Sequence, residues 1–200
     1  MKSRRLIAVV LTAAAMIWAG TVAAAYRAVR LFESTPGMSA NAPRSWPDAS
    51  AIRRAKGEWS LVMLVHPRCS CSRASVQELQ AVIEKAPAAV RTHVLVYRPE
   101  SFAKGWEQTD VVASASRLRR ANVRIDENGR EAQLFGGFTS GQTLLYDDRG
   151  TLRFAGGITS LRGHAGLNRG RADIIDIVNR RAEAGTHPVF GCAIVRKENR

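Results

Sequence analysis

The sequence predicts an α/β fold in which a central mixed sheet is flanked by helices, with a transmembrane helix at the N-terminus. Three patterns predict it: an uncharged apolar run near the start of the chain, short apolar runs that alternate with an amphipathic helical pattern, and a late hairpin signal. The 200 residues suffice for one ordinary domain with attachments, which excludes a multidomain enzyme. The 46% of hydrophobic residues excludes a disordered chain.

The apolar run extends from Leu6 to Tyr26, and at ~1.5 Å per residue it covers ~31 Å, about the thickness of a bilayer's hydrocarbon core. Residues 1–5 form a basic segment before it, which fits an uncleaved anchor or a secretory signal cleaved near Ala23–Ala25. The run is longer than a typical signal core, which favours the anchor. The excess of basic residues before the run places the N-terminus inside, so we expect a single-pass protein of the bacterial inner membrane whose domain faces the periplasm. The alternative is secretion to the periplasm after cleavage.

The chain has a formal net charge of +13, and such an excess is typical of proteins with an anionic partner. Several of the basic residues flank the apolar run, so the excess in the rest of the chain is smaller. No base-stacking aromatic residues accompany the basic clusters, and the sequence has no G-x-x-x-x-G-K-[ST] pattern. We therefore expect neither a nucleic acid nor a nucleotide as a partner.

Residues 27–50 are predicted to be a linker, because prolines, Ser, Ala and Asn are incompatible with a helix or a central strand from Leu31 onward. The folded domain is predicted over residues 51–185. Its first buried strand is the apolar run Ser60–Val65. A helix over residues 72–85 follows, in which Ser75-x-x-Glu78 has the pattern of a capping box and Pro87 closes the element.

A second buried strand over residues 92–97 gives the order strand, helix, strand, which predicts a parallel pair with a right-handed crossover. His93 in this strand is predicted to be a structural histidine with satisfied ring nitrogens. Weaker patterns predict a helix over 106–120, a strand over 123–125 and a helical turn over 131–135. Strands over 142–146 and 151–154 flank a hairpin turn at Asp147–Gly150, and a helix over 172–183 precedes a tail, 186–200, that carries Cys192.

Cys69 and Cys71 lie two residues apart at the point where the first strand gives way to the first helix of the domain. A helix N-terminus presents unpaired N–H groups and a partial positive charge, which favour a thiolate over a thiol. Arg68 and His66 can add to this effect. A two-residue spacing closes a small, strained disulfide ring, so a purely structural disulfide is disfavoured. We expect a thiolate that acts as a nucleophile or as a metal ligand.

The order of elements around this motif resembles the thioredoxin fold, whose redox-active cysteines lie at the same junction. The family's usual motif is C-x-x-C, whereas this chain has C-x-C with Ser72 in the place of the second cysteine. The resemblance therefore implies that Cys69 is the attacking thiol. Gly141-Gln142-Thr143 matches the segment that carries the family's cis-proline, with Gln142 in the proline position, and implies that Gln142 and Thr143 lie at the active site.

Longer blocks are similar to RedB, a group of exported thioredoxin-like proteins, between about Trp46 and Cys192. The matching blocks are His66–Ser75, Thr139–Asp147, Gly156–Thr159, Arg162–Gly166 and Pro188–Cys192. This chain has Ser70 where proline is usual between the cysteines, which affects ring strain and redox potential. It has Leu167 where the group tends to have Asp, which removes an acid near His164. The resemblance supplies no substrate.

Two further segments are predicted to reach the cysteines. The glycine-rich stretch 156–170 is longer than a thioredoxin needs, and the topology places Arg162, His164 and Asn168 near the thiols. His164 is a candidate general base, metal ligand or substrate contact, or simply a solvated loop histidine. Cys192 follows Glu183 by nine residues, a reach of up to ~30 Å, so it can resolve a disulfide, serve as a third thiolate ligand, pair between chains or remain free.

Two functions follow from these features. The first is a membrane-tethered periplasmic thiol–disulfide oxidoreductase without a cofactor, which acts on a substrate protein that holds a disulfide or a dithiol. Its catalytic residues would be Cys69 and Cys71. The alternative is a periplasmic protein that binds or delivers Cu(I), because soft thiolates suit this ion. Its ligands would be Cys69, Cys71 and His164, with His66 or Cys192 as further candidates.

Overall fold

The computed structural model describes residues 2–38, 40–54, 57–86 and 90–194. The chain divides into two compact units, one up to Thr35 and one from Pro36 onward. The first unit is helix α1, Lys2–Ser34, of which Ser3–Ser34 is long and apolar enough to cross a membrane. A signal sequence near an N-terminus has the same properties. An N-terminal apolar helix is thus confirmed, and it extends to Ser34, beyond the predicted start of the linker.

The second unit is built on one six-stranded mixed sheet, which confirms the predicted fold class. The strand order is β3-β2-β1-β4-β5-β6, with β1, β2 and β3 parallel and β4 antiparallel to both β1 and β5. The elements are β1 Trp59–Val65, α2 Ser70–Lys85, β2 Val90–Arg98, α3 Asp110–Ser116, β3 Ala121–Glu127, α4 Arg130–Leu134, β4 Gln142–Tyr146, β5 Leu152–Gly157, α5 Arg169–Val178 and β6 Gly185–Thr186.

Alternating side chains of the strands build a hydrophobic core on each face of the sheet. On one face, Leu61 and Met63 of β1 pack with Leu79 of α2 and with residues of α3 and α5. On the other face, Val62 and Leu64 pack with residues of α4 and β4. Period-two alternation in fully apolar strands requires cover on both faces, and the helices supply it. This arrangement fixes α2 at the end of β1, where the cysteines lie.

Helix α2 begins at Ser70, two residues earlier than the sequence predicts, with Cys69 as its N-cap. The predicted capping box is wrong, because Ser75 lies inside the helix, where its Oγ donates to the carbonyl of Cys71 over 3.4 Å. Glu78 is buried and accepts hydrogen bonds from Gly166 and from residues around the start of α5. Pro87, predicted to close the helix, lies outside the described residues.

Side-chain caps account for helix boundaries that the sequence patterns missed. Thr109 accepts a hydrogen bond from the amide of Val112 over 3.4 Å and starts α3, which covers only part of the predicted 106–120. Asn168 accepts from the amide of Arg171 over 2.8 Å, so α5 begins at Arg169. Such caps satisfy the first free N–H groups of a helix. The short strand β6, parallel to β5, was not predicted.

Much of the predicted linker packs on the sheet. The Trp46 ring lies 4.9 Å from that of Phe135 and 5.2 Å from that of Tyr146, in edge-on contacts. The amide of Trp46 donates to Gly150 over 2.8 Å, and Ile52 is buried. Proline keeps this segment out of regular structure, but its apolar side chains cover the second core. The domain boundaries that the sequence predicts stay predictions.

His93 lies in the buried part of β2, 4% exposed, and its ring is 6.3 Å from that of Trp46. Neither ring nitrogen has a hydrogen-bond partner among the described residues, so the prediction of a satisfied histidine is wrong. Burial, followed by the charges of Arg91 and Arg124, lowers the pKa of His93 to about 4. The imidazole is therefore neutral in the folded protein near neutral pH.

We expect the full chain to lose stability as the pH falls from 6.5 to about 4. Over this range the unfolded chain takes up a proton at His93 that the folded protein does not bind. The loss is on the order of 3 kcal/mol. Urea denaturation at several pH values in this range gives the unfolding free energy, which should change markedly less with pH for His93→Phe than for the wild type. The control His164→Phe, at an exposed loop position, should show the same change with pH as the wild type. A change for His93→Phe equal to that of the wild type would contradict the low pKa of His93.

Candidate functional site

The site begins at the turn that links β1 to α2. The amide of Cys69 donates to the carbonyl of His66 over 3.1 Å, and Cys69 has extended backbone angles, φ −99° and ψ 122°. Its side chain makes no capping hydrogen bond to the helix. The N-cap position nevertheless places Cys69 at the end of the helix that favours negative charge.

The C-terminal tail brings Cys192 to the same place. The amide of Ser140 donates to the carbonyl of Cys192, and the amide of Ile194 donates to that of Phe138, each over 2.8 Å. A Cβ at Gly191 would lie 1.9 Å from the carbonyl oxygen of Ser140, so only glycine permits this approach. The tail thus runs beside the loop that precedes β4.

The sulfur atoms of Cys69, Cys71 and Cys192 all lie within 4.8 Å of one another. All three cysteines are free in the structure. Cys69 is 3% and Cys71 5% exposed, while Cys192 is partly buried. Two cysteines of the helix start and one of the tail, more than a hundred positions apart in the sequence, therefore form one compact group, which we call the thiol cluster.

Hydrogen bonds divide the cluster into one acidic thiol and two weakly acidic ones. The Cys192 thiol, together with the backbone amides of Cys192, Cys71 and Ser72, stabilises the Cys69 thiolate and lowers the pKa of Cys69 to about 5, against the effect of burial. Burial and the negative charge of Cys69 raise the pKa of Cys71. The hydrogen bond to Cys69, followed by burial, raises the pKa of Cys192. At neutral pH the charge of the cluster therefore lies on Cys69.

His66 and Arg68 lie next to the cluster, in contact with an aromatic group. The His66 ring lies 5.8 Å from the Tyr97 ring and 5.7 Å from the Trp106 ring, and its Nδ1 accepts from the amide of Arg68 over 3.2 Å. Burial lowers the pKa of His66, which therefore favours the neutral form. The Arg68 guanidinium lies 5.1 Å from the centre of the Trp106 ring. These residues form a partly buried aromatic and cationic border beside Cys69, in which Arg68 is exposed.

Gln142 and Thr143 are fully buried at the start of β4. Gln142 Oε1 accepts from the amide of Phe138 over 3.4 Å, and its Nε2 has no hydrogen-bond partner among the described residues. Thr143 donates to the carbonyl of Gly141 over 3.2 Å. The two side chains support the loop that holds the tail, and the place at the active site that the resemblance implies for them stays a prediction.

Of the three candidate side chains in the glycine-rich stretch 156–170, Arg162 lies beside the thiol cluster. Arg162 donates to the carbonyl of Gly191, and its charge opposes the rise in the pKa of Cys71 and Cys192. Asn168 instead binds Glu78 and caps α5. His164 is exposed, and the group of side chains able to hold a metal in the described part of the chain comprises the three cysteines without it.

Two serines that the sequence analysis did not name as site residues connect parts of the site. The Ser72 and Ser140 hydroxyls lie 2.7 Å apart, and Ser72 also donates to the carbonyl of His66 over 2.9 Å. Ser140 accepts from the amide of His66 over 2.8 Å. Both serines fall inside the sequence blocks that resemble RedB, but a serine in a block does not reveal which backbone it binds. The pair connects the helix start to the loop beside the tail.

Neither a family model nor a curated protein matches this chain. Among solved structures, an uncharacterised conserved protein from Geobacillus kaustophilus is 15% identical, with a TM-score of 0.56 over 84% of this chain and 95% of that one. A hypothetical protein from Sinorhizobium meliloti is 16% identical, with a TM-score of 0.53 over 84% of this chain and 99% of that one. A secreted disulfide oxidoreductase from Mycobacterium tuberculosis is 14% identical, with a TM-score of 0.45 over 62% and 83% of the two chains. The chain has a mixed α/β, thioredoxin-like fold with its cysteine motif where the first strand of the sheet meets a helix.

Proposed function

We propose that this protein is a membrane-tethered thiol–disulfide oxidoreductase that acts on a partner protein through Cys69. The observation that carries the proposal is the placement of Cys69 at the N-cap of α2, with its sulfur within 4.8 Å of those of Cys71 and Cys192. In this position the pKa of the Cys69 thiol is lowered to about 5. A thiolate held in this way attacks disulfides at a pH at which an ordinary thiol is protonated. We expect catalysis without a cofactor.

The reaction takes place in two exchanges. In the first, the Cys69 thiolate attacks one sulfur of a substrate disulfide, a Cys69–substrate disulfide forms, and the other substrate sulfur leaves as a thiolate. In the second, a thiol of the cluster, Cys71 or Cys192, loses its proton and attacks the Cys69 sulfur, which releases the second substrate thiolate. The substrate disulfide gains two electrons, and two cysteines of this protein are oxidised to a disulfide. The reverse sequence oxidises a substrate dithiol.

Helix α1, the first unit, is the basis for a proposed location in the cell. We propose that α1 is an uncleaved anchor in the bacterial inner membrane and that the domain faces the periplasm, on the basis of the apolar length of α1 and the basic residues before it. The periplasm is an oxidising compartment in which disulfides form and persist. We further propose membership of the RedB group on the sequence blocks around the cysteines.

A second candidate function is the binding or delivery of Cu(I). The observation in its favour is the thiol cluster, in which three sulfur atoms lie within 4.8 Å of one another. A trigonal ion with metal–sulfur bonds of ~2.3 Å places its sulfur ligands ~4 Å apart, and soft thiolates suit Cu(I). In this function Cys69, Cys71 and Cys192 would hold the ion, with Cys192 as the third ligand in place of the predicted His164.

The acidity of Cys69 is the first property to measure. We expect the thiolate absorbance of the full chain in detergent to titrate with a midpoint near pH 5 for one thiol. Cys192→Ala removes the largest stabilising hydrogen bond and should raise that midpoint, whereas Cys69→Ala should abolish the transition. A peptide of residues 67–73 serves as the unfolded reference and should titrate near the usual pKa of ~8.5. A midpoint for the protein equal to that of the peptide would contradict the proposed thiolate.

A trapping experiment tests the exchange. The full-length double variant Cys71→Ser, Cys192→Ser, expressed in the native membrane, retains the attacking thiol but lacks both resolving thiols. It should accumulate disulfide-linked adducts with its partner proteins, visible on non-reducing gels and lost on reduction. The matched triple variant that also carries Cys69→Ser should form none. If the double variant gave no more adduct than the triple variant, Cys69 would not exchange disulfides with a protein.

Metal retention separates the two candidate functions. If the protein binds Cu(I), the reduced full chain should retain one Cu(I) ion through desalting, as counted by native mass spectrometry. Cys192→Ser should lose most of the bound copper, because one of the three sulfur ligands is removed. His164→Ala should retain the ion as the wild type does. Stoichiometric Cu(I) together with no reduction of an added protein disulfide would favour the copper function. Turnover without retained copper would favour the exchange.

A further inference from the structure

We infer that Cys192 of the C-terminal tail, and not the neighbouring Cys71, resolves the mixed disulfide at Cys69, so that the oxidised protein carries a Cys69–Cys192 disulfide. This inference rests on the proposed exchange and adds the identity of its second thiol. The C-x-C motif by itself suggests the opposite pairing. Three features of the structure favour the tail.

The first feature is the contact itself. The Cys192 sulfur lies within 4.8 Å of the Cys69 sulfur in the thiol cluster. Cys192 also makes the largest contribution to the lowered pKa of the Cys69 thiol. The thiol that faces the Cys69 sulfur in the reduced protein is already on the side from which it must attack that sulfur once the sulfur is bound to a substrate.

The second feature is the helix that holds Cys71. Cys71 is the second residue of α2, its carbonyl accepts from the Ser75 hydroxyl, and the amide of Ser72 donates to the carbonyl of Cys69 over 3.0 Å. A disulfide between positions 69 and 71 closes a small ring that the first turn of the helix must deform to accommodate. Cys192 lies in an extended tail, so a disulfide to it requires no change in α2.

The third feature is the way the tail is attached. Ser140 donates to Cys192, Arg162 donates to Gly191, and Gly191 lies against the backbone of Ser140. These contacts fix the position of the Cys192 backbone, but they belong to a tail that carries no helix or long strand between residues 187 and 194. Cys69 is 3% exposed, so a protein disulfide reaches it only after a neighbouring segment moves. In this inference the segment that moves is the tail. The return of the tail then brings Cys192 back to the Cys69 sulfur.

The attack of Cys192 on the mixed disulfide balances in atoms and electrons. The Cys192 thiol gives its proton to solvent, its sulfur bonds to the Cys69 sulfur, and the bond between Cys69 and the substrate sulfur breaks. The substrate sulfur leaves as a thiolate and takes up a proton. Cys69 and Cys192 are oxidised together, and the substrate disulfide is fully reduced. Cys71 keeps its thiol throughout.

The test uses oxidised glutathione, at less than one equivalent, with the reduced full chain in detergent. Intact-mass measurement and peptide mapping distinguish a retained glutathione adduct on Cys69 from an internal disulfide. Cys71→Ser should pass through the adduct to a Cys69–Cys192 disulfide. Cys192→Ser should retain the adduct, with a discharge at least roughly tenfold slower than that of Cys71→Ser. Cys192→Ala provides a second variant, and near-ultraviolet circular dichroism shows whether each variant keeps the packed domain.

Three outcomes decide the matter. The adduct retained by Cys192→Ser and discharged by Cys71→Ser supports the inference. A retained adduct in Cys71→Ser, or equal discharge rates in the two folded variants, overturns it and leaves the exchange function intact. If the wild type and both variants form neither a glutathione adduct on Cys69 nor an internal disulfide, the proposed function itself fails, and the inference fails with it.

Discussion

The site depends on one electrostatic constraint: a sulfur anion removed from water must be surrounded by hydrogen-bond donors. Cys69 is almost completely buried, and burial alone favours the neutral thiol. The donors that reverse this come from two directions, the first turn of α2 and the tail residue Cys192. Helix N–H groups without an internal partner are available at every helix start. The tail donors are not, so the acidity of Cys69 depends on the tail being in place.

Close backbone contacts hold the tail there. A Cβ at Gly156 would lie 2.5 Å from the carbonyl oxygen of His187, and one at Gly157 would lie 2.7 Å from that of Pro188. Gly191 makes a similar approach to Ser140. These glycines let the tail run against the end of β5 and the loop before β4. Each close contact requires the absence of a side chain, which is why glycine is needed here.

The sequence predicts the sheet well because its strands are encoded locally. Apolar runs of the β1 and β2 type and the hairpin turn at Asp147–Gly150 give the strands directly, and the C-x-C motif falls where β1 ends. The first helix of the domain is predicted with the wrong cap, because Glu78, in the capping-box pattern, is used instead by the distant residues Gly166 and Arg171. Interactions between segments far apart in the chain leave no local pattern.

The candidate site is only partly predictable from the sequence for the same reason, because several of its contacts join segments far apart in the chain. Its nucleophile is predictable from position at a strand–helix junction, but the residues that contact the nucleophile from distant parts of the chain are not. The length of the tail shows only that Cys192 can reach Cys69. The length of the glycine-rich stretch shows only that His164 can reach Cys69 as well. The structure gives the contact to Cys192 and leaves His164 exposed. Likewise, the proline-containing segment has the composition of a linker, and its packing through Trp46 depends on Phe135 and Tyr146, about a hundred positions away.

The protonation of the three cysteines in the unreacted protein favours one of the two candidate functions, disulfide exchange or Cu(I) binding. A metal ion with three thiolate ligands requires that Cys71 and Cys192 both lose their protons, since ligands bind in the deprotonated form. In this cluster Cys192 contributes to lowering the pKa of the Cys69 thiol, and Cys69 in turn raises the pKa of the Cys192 thiol. One anion stabilised by a neighbouring thiol is the arrangement that disulfide exchange needs, because the nucleophile is charged and the second thiol stays protonated until its turn. Copper would have to displace two protons from a buried group, whereas a substrate disulfide meets a thiolate that is already formed.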